Sequence, residues 1–216
     1  ERKLAMMADT VNTGEPSTLE YPLILNAKEY YFLERLTALD DKHVLAFIID
    51  ITSRREAEVK LEWQAFHDGL TGLPNRLMFF EFLNKLVQNY RRNKREFTIL
   101  FIDLNGFKEI NDNYGHHVGD EILKHTATQL SSILRETDTV ARLGGDEFVI
   151  LLSNIESKKH VDTVAKKLIE EFKEPIIVDG VTFYVSISIG IAITNHSRAT
   201  PVELLRHADI AMYEAK

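Results

Sequence analysis

The sequence contains no cysteine. Thiolate metal sites, disulfides and a cysteine nucleophile are therefore excluded. It also lacks an excess of basic charge: 26 Lys and Arg face 33 Asp and Glu, for a formal net charge of −7. That balance argues against a nucleic-acid polymer held mainly through phosphate contacts. No apolar stretch approaches the roughly 18 residues of a membrane helix, and the strongest run, "VLAFII" at 44–49, is strand-sized. A GxxxxGK[ST] loop is missing, so any nucleotide must be bound without that phosphate cradle. His116 and His117 are adjacent, which points their side chains apart, and no third residue has the spacing of a zinc ligand. No internal repeat, low-complexity tract or secretory signal is visible, and the cytoplasm is the expected location.

What is present is an ordinary globular composition, 44% apolar and 27% charged over 216 residues. That suits one large domain, or one domain plus a fragment. "TLEYPLIL", "EYYFLERLTAL" and "HVLAFIIDIT" within residues 18–52 read as three strands, with a polar turn at Asp40-Asp41-Lys42. "SRREAEVKLEWQAFHD" (53–68) switches to helical chemistry, with Val59, Trp63 and Phe66 on one face. A larger unit begins at Asp68. "GLTGLPN" is loop chemistry, and the helix after it is expected to turn Leu77, Phe80, Leu83 or Val87 and Tyr90 to the core. "FTILFID" (97–103) is a buried strand ending in a carboxylate, and residues 119–135 form a helix. A hairpin, a further helix and "PIIVDGVTFYVSISIGIAI", read as a turn and two strands, follow. Thr200-Pro201-Val202-Glu203 then opens the last helix with a capping box. Helices alternate with hairpins, so the expected fold is an α+β sandwich on a mixed or antiparallel sheet. "RRNKR" (91–95) is most simply the solvated end of a helix.

The hairpin "RETDTVARLGGDEFVILL" (135–152) raises the chemical question, because it places Asp146 and Glu147 side by side at its tip. If its second strand lies beside "FTILFID", Asp103 joins them and three carboxylates converge on one sheet edge. Such a cluster is unfavourable without cations. Hard divalent ions take oxygen ligands, and carboxylates with two metals suit in-line displacement at phosphorus. "DLNGFKEINDNYGHHVGD" (103–120) reads as a polar loop before a helix start. Within it Lys108 can neutralise phosphate, and Asn111 with Asp120 matches the donor and acceptor edge of guanine. These residues also have plain structural uses: strand-end turn for Asp103, hairpin turn for Gly144-Gly145-Asp146, turn formation for Asn111 and Asp112, helix cap for Asp120.

Four segments in order, "DGLTGLPNR", "DLNGFKEINDNYGHHVGD", "GGDEF" and "HADIAMYEAK", resemble the GGDEF family of diguanylate cyclases over residues 66–216. The resemblance implies condensation of two GTP into cyclic di-GMP with release of two pyrophosphates. The implied fold is the ferredoxin-like, palm-type sandwich shared with adenylyl cyclases and many polymerases. By position, Asp103, Asp146, Glu147 and the Leu104 carbonyl match ligands for two Mg²⁺ or Mn²⁺ ions per active site. Asp146, Glu147 and Lys108 match the catalytic set; Asn111, His116, Asp120, Phe107 and Lys216 match the GTP-binding set. Arg135 and Asp138, at the family's RxxD spacing before the motif, match an inhibitory cyclic di-GMP site, with Arg142 as a third contact. Because each domain holds one GTP, the family's chemistry implies a homodimer. Residues 1–53 resemble the second half of a PAS sensor domain and 54–67 a signalling helix, leaving 68–216 as the cyclase domain. The alternative reading is a non-catalytic domain that binds GTP or cyclic di-GMP to regulate a larger protein.

Overall fold

A computed structural model describes residues 2–155, 157–194 and 200–216. The chain divides into two units, residues 1–63 and 64–216. In the first, helix α1 (Arg2–Thr13) precedes an antiparallel sheet of β1 (Ser17–Leu25), β2 (Lys28–Ala38) and β3 (Val44–Asp50), in that spatial order. The β1–β2 turn is made by Asn26 and Ala27, at φ 52° and 62°, the left-handed pair that matches strand twist in tight hairpins. Lys3 Nζ lies 2.7 Å from the carboxylate of Glu34, a residue that is fully buried in β2. The sequence pattern assigns no element to residues 2–13, where α1 lies. Helix α2 (Thr52–Phe66) follows. Its Val59 and Trp63 are 65% and 44% exposed.

The second unit is built on a four-stranded antiparallel sheet in the order β5-β6-β4-β9. Its strands are β4 (Thr98–Asn105), β5 (Thr139–Gly144), β6 (Glu147–Leu152) and β9 (Ser186–Ile193). Between β4 and β5 run α4 (Phe107–Tyr114) and α5 (His116–Ile133). Helix α6 (Lys158–Glu171) and a small hairpin of β7 (Ile176–Val178) and β8 (Val181–Phe183) lie between β6 and β9. Helices α3 (Arg76–Asn93) and α7 (Pro201–Ala215) flank the unit in sequence.

Strand alternation sends side chains to both faces of this sheet, and each face has its own core. Leu100, Ile102, Leu104, Phe148 and Ile150 pack with Ile122, Leu123 and Leu130 of α5 and Val161 and Leu168 of α6. Ile99, Phe101, Val149 and Leu151 pack with Phe79, Leu83 and Val87 of α3 and with Leu205, Ala208 and Met212 of α7. With helices on both faces, β4 is buried along nearly its whole length. That explains the apolar run Ile99–Ile102 within it.

Three expectations change. The polar stretch before α5 is helical over α4, and α5 itself begins at His116. Helix α3 turns Phe79 inward at 0% exposure while Leu77 is 53% exposed, because Phe79 shares the i, i+4 face of the buried Leu83 and Val87. The segment after α6 holds three strands, with Asp179-Gly180, at φ 51° and 78°, as the tight turn of the first two.

Candidate active site

Register decides which carboxylates meet. In the antiparallel pairing of β4 with β6, Asp103 stands directly opposite Glu147. Opposed residues in such a pair share a face, and like charges there repel. Asp146 occupies the turn just before Glu147, in a hairpin with a bulge between Arg142 and Gly144. Gly144 and Gly145 take φ 145° and 53°, values that a side chain resists. The hairpin can therefore turn abruptly and still present two adjacent carboxylates.

Asp103 is 8% exposed, and its Oδ1 accepts a hydrogen bond from Lys216 Nζ at 2.6 Å. The ammonium of Lys216 is held protonated above its ordinary range, chiefly by that bond, with Asp146 adding attraction. Burial is the main reason the Glu147 carboxyl is pushed above its usual range; Arg76 opposes this, while Asp209, Asp146 and Asp103 reinforce it. A raised carboxyl pKa means the folded state holds more protons just above the ordinary value. Stability therefore falls as pH rises through that window. Glu147→Gln should lack the fall, melting about 1–3 °C higher than the wild type near pH 8 and no higher below about pH 4, by thermal denaturation without divalent ions.

Among the described residues, no three His, Asp or Glu side chains are already gathered into a metal-binding group. The donors at this edge nonetheless fit a hard divalent cation. They are carboxylates and a backbone carbonyl; Lys216 is bonded to Asp103, while Asp209, Asp146 and Asp103 repel charge on Glu147 against the partial relief given by Arg76.

The remaining candidates lie on α4, α5 and the turn before β5. Lys108 is exposed in the first turn of α4, whose N-cap Gly106 supplies no side-chain cap. The Phe107 ring is 7% exposed and belongs to the core, as does Leu104 at 0%. Only the main chain of these two residues can serve a ligand. Asn111 is half-buried against the start of α5: a Cβ built on Gly119 would lie 2.0 Å from Asn111 Oδ1. Gly119 thus lets Asn111 pack on α5 one residue before the half-buried Asp120, while His116 is exposed at the first position of α5.

Asp138 folds back on Arg135, its Oδ2 accepting from the Arg135 backbone N–H at 3.3 Å and its Oδ1 from Ser153 N at 3.2 Å. The Arg135 side chain is exposed. Arg142 does not join them. Its guanidinium donates to the Gly145 carbonyl and to Asp68. The sequence reading assigned no role to Arg76, Asp209 or Asp68. For Asp209 a signal existed, since it precedes Lys216 by two helical turns and so shares its face of α7.

Residues 65–216 match the family described as diguanylate cyclase, GGDEF domain. The chain belongs to the GGDEF family. Among curated GGDEF relatives, it is 40% identical over 183 residues to the bifunctional diguanylate cyclase/cyclic di-GMP phosphodiesterase MucR of Pseudomonas aeruginosa, covering 84% of this chain and 26% of MucR. It is 42% identical over 163 residues to diguanylate cyclase TpbB of the same species, covering 75% of this chain and 38% of TpbB. The chain thus spans well under half the length of these relatives. The solved GGDEF domain of TpbB superposes with a TM-score of 0.67 at 43% identity, covering 69% of this chain and 88% of that one. The mixed α/β architecture is therefore that of GGDEF domains. Among the described residues no helix is long and apolar enough to cross a membrane.

Proposed function

We propose that this chain is a diguanylate cyclase that joins two GTP molecules into cyclic di-GMP and releases two pyrophosphates. The observation that carries the reading is the Asp103–Glu147 cross-strand pair with Asp146 at the adjoining turn. Three carboxylates at one sheet edge, with Lys216 bonded to Asp103 and Arg76 acting on Glu147, keep a surplus of negative charge that suits phosphoryl chemistry with divalent cations. Asp103, Asp146, Glu147 and the Leu104 carbonyl would hold Mg²⁺ or Mn²⁺, two per site. The ions would supply charge neutralisation for the triphosphate and the attacking 3′-hydroxyl.

The chain's own groups bind and orient. Lys108, Lys216 and the uncapped first turn of α4, including the Phe107 N–H, face phosphate. Asn111 and Asp120 read the guanine edge, with His116 near the nucleotide. Each domain presents one GTP, so ring closure requires two domains face to face, in a homodimer. The exposed Val59 and Trp63 of α2 are suited to bring two chains together. Residues 1–53 are in this reading the latter part of a PAS-like sensor, and Arg135 with Asp138 the core of an inhibitory site for product.

Guanine selection tests the reading without turnover. Calorimetry should give a non-hydrolysable GTP analogue at least about tenfold tighter binding than its ATP counterpart, with Asp120→Asn erasing the difference. Equal affinity for both analogues in the wild type would refute the assignment. Gly119→Ala should displace the Asn111 amide and raise KM for GTP about tenfold, with a smaller change in kcat, by steady-state kinetics.

A further inference from the structure

The turn that carries Asp146 is built from the two residue types least able to hold a shape. Gly144 and Gly145 both sit at positive φ, and with no Cβ they have many conformations available. Yet the chemistry proposed for this edge needs the Asp146 carboxylate held within a fraction of an ångström. Some other group must supply the stiffness.

Arg142 reaches it from within β5. Its Nε and Nη2 donate to the Gly145 carbonyl at 3.0 and 2.8 Å, and its Nη1 donates to Asp68 Oδ1 at 2.9 Å. The Gly145 carbonyl belongs to the peptide plane whose nitrogen is that of Asp146. Fixing this oxygen fixes that rigid plane and therefore the direction in which Asp146 leaves the turn.

Asp68 is itself anchored. Its Oδ1 accepts from Thr71 N and Thr71 Oγ1 at 2.9 and 2.6 Å, and its N–H donates to the Leu73 carbonyl at 2.7 Å. The Arg142 backbone N–H donates to the Pro74 carbonyl at 3.0 Å, tying the same loop to β5 a second time. The loop hangs in turn from the end of α2, through Asn75 N to Phe66 O and Asn75 Nδ2 to Ala65 O. The Arg142 and Asp68 side chains are only 11% and 23% exposed, so the pair is shielded from the screening that weakens surface bridges. Burial opposes ionisation of Asp68, but hydrogen bonds from Thr71 and Arg142 outweigh it and hold its carboxyl below the ordinary range.

We infer that Arg142, braced by Asp68, is a positioning residue that locks the Gly145–Asp146 peptide and so aims the Asp146 carboxylate. This rests on the cyclase reading for its consequence in turnover, though the lock itself does not. With three guanidinium N–H groups already committed, Arg142 is assigned to the hairpin and not to the product site.

Arg142→Lys tests this, since it keeps the charge but loses the two-pronged grip on one carbonyl. Asp68→Asn keeps the shape and removes the anchoring charge. Hydrogen exchange, GTP kinetics and cyclic di-GMP calorimetry are measured on the whole chain. In both variants, amide exchange at residues 145–147 should quicken about tenfold or more, while exchange in β4 stays as in the wild type. The kcat should fall about tenfold or more with KM within about twofold, and Asp68→Glu should restore part of the loss. Unchanged exchange at the turn overturns the inference, as does a rise in KM with kcat intact. Loss of cyclic di-GMP affinity with exchange and kcat unaltered also overturns it, by returning Arg142 to the product site. If the wild type turns over no GTP yet the turn loosens in both variants, the lock stands and the cyclase reading fails.

Discussion

Asp146→Asn should lower GTP turnover about 10³-fold or more, since a lost metal ligand is worth several kcal/mol and each 1.36 kcal/mol is tenfold in rate. The fold should survive. Asp146 is half-buried in a turn that the Gly145 carbonyl and Arg142 hold from outside its side chain. Removing one of three neighbouring carboxylates also relieves repulsion on Glu147. Steady-state kinetics with Mg²⁺ and a thermal melt check both halves. Lost activity with an unchanged or slightly raised Tm is expected, and wild-type turnover would remove Asp146 from the chemistry.

Gly190→Ala should cost at or above the upper end of the ~1–3 kcal/mol typical of overpacking and should disable the site as well. Gly190 lies in β9 opposite Phe101, and α7 crosses it at backbone contact. An added Cβ would lie 2.0 Å from the Ala208 carbonyl oxygen and 2.2 Å from Met212 N. No rotamer change relieves a clash with backbone, so α7 must move away from the sheet. That helix carries Asp209 and ends beside Lys216, the partner of Asp103. A melt lowered by about 5 °C or more, with loss of GTP turnover, is the expected result. Unchanged stability would show that α7 does not pack on β9 as described.

These two residues mark what a sequence shows and what it hides. The carboxylate edge was legible, because a strand ending in Asp103 and a Gly-Gly turn followed by Asp146 and Glu147 need only neighbouring strands to converge. The register then placed Asp103 opposite Glu147. The two-faced core was foreshadowed by the apolar run of β4. Helix α4 was hidden, since its Lys, Glu, Asn and Asp residues outnumber the stripe of Phe107, Ile110 and Tyr114 on so short an element. The phase of α3 was hidden too, because four apolar residues in a row leave more than one inward solution, and packing against the sheet selects the face of Phe79, Leu83 and Val87.

Long-range partners were beyond any local pattern. Asp68 and Arg142 meet across 74 positions, and Lys216 reaches Asp103 across 113. Arg142 illustrates the consequence. The resemblance offered it as a third product contact, and no local pattern showed that its guanidinium bonds to the turn it precedes. Gly190 gave no warning either, since a glycine inside a strand declares a close approach without naming what approaches.

The central claim is most directly tested by incubating the protein with GTP and Mg²⁺ and resolving all nucleotides and phosphates by chromatography. The account predicts cyclic di-GMP and pyrophosphate in a ratio of one to two, no product from ATP, and none after chelation of the metal. GTP left intact under these conditions, or converted to GDP and phosphate, would contradict it.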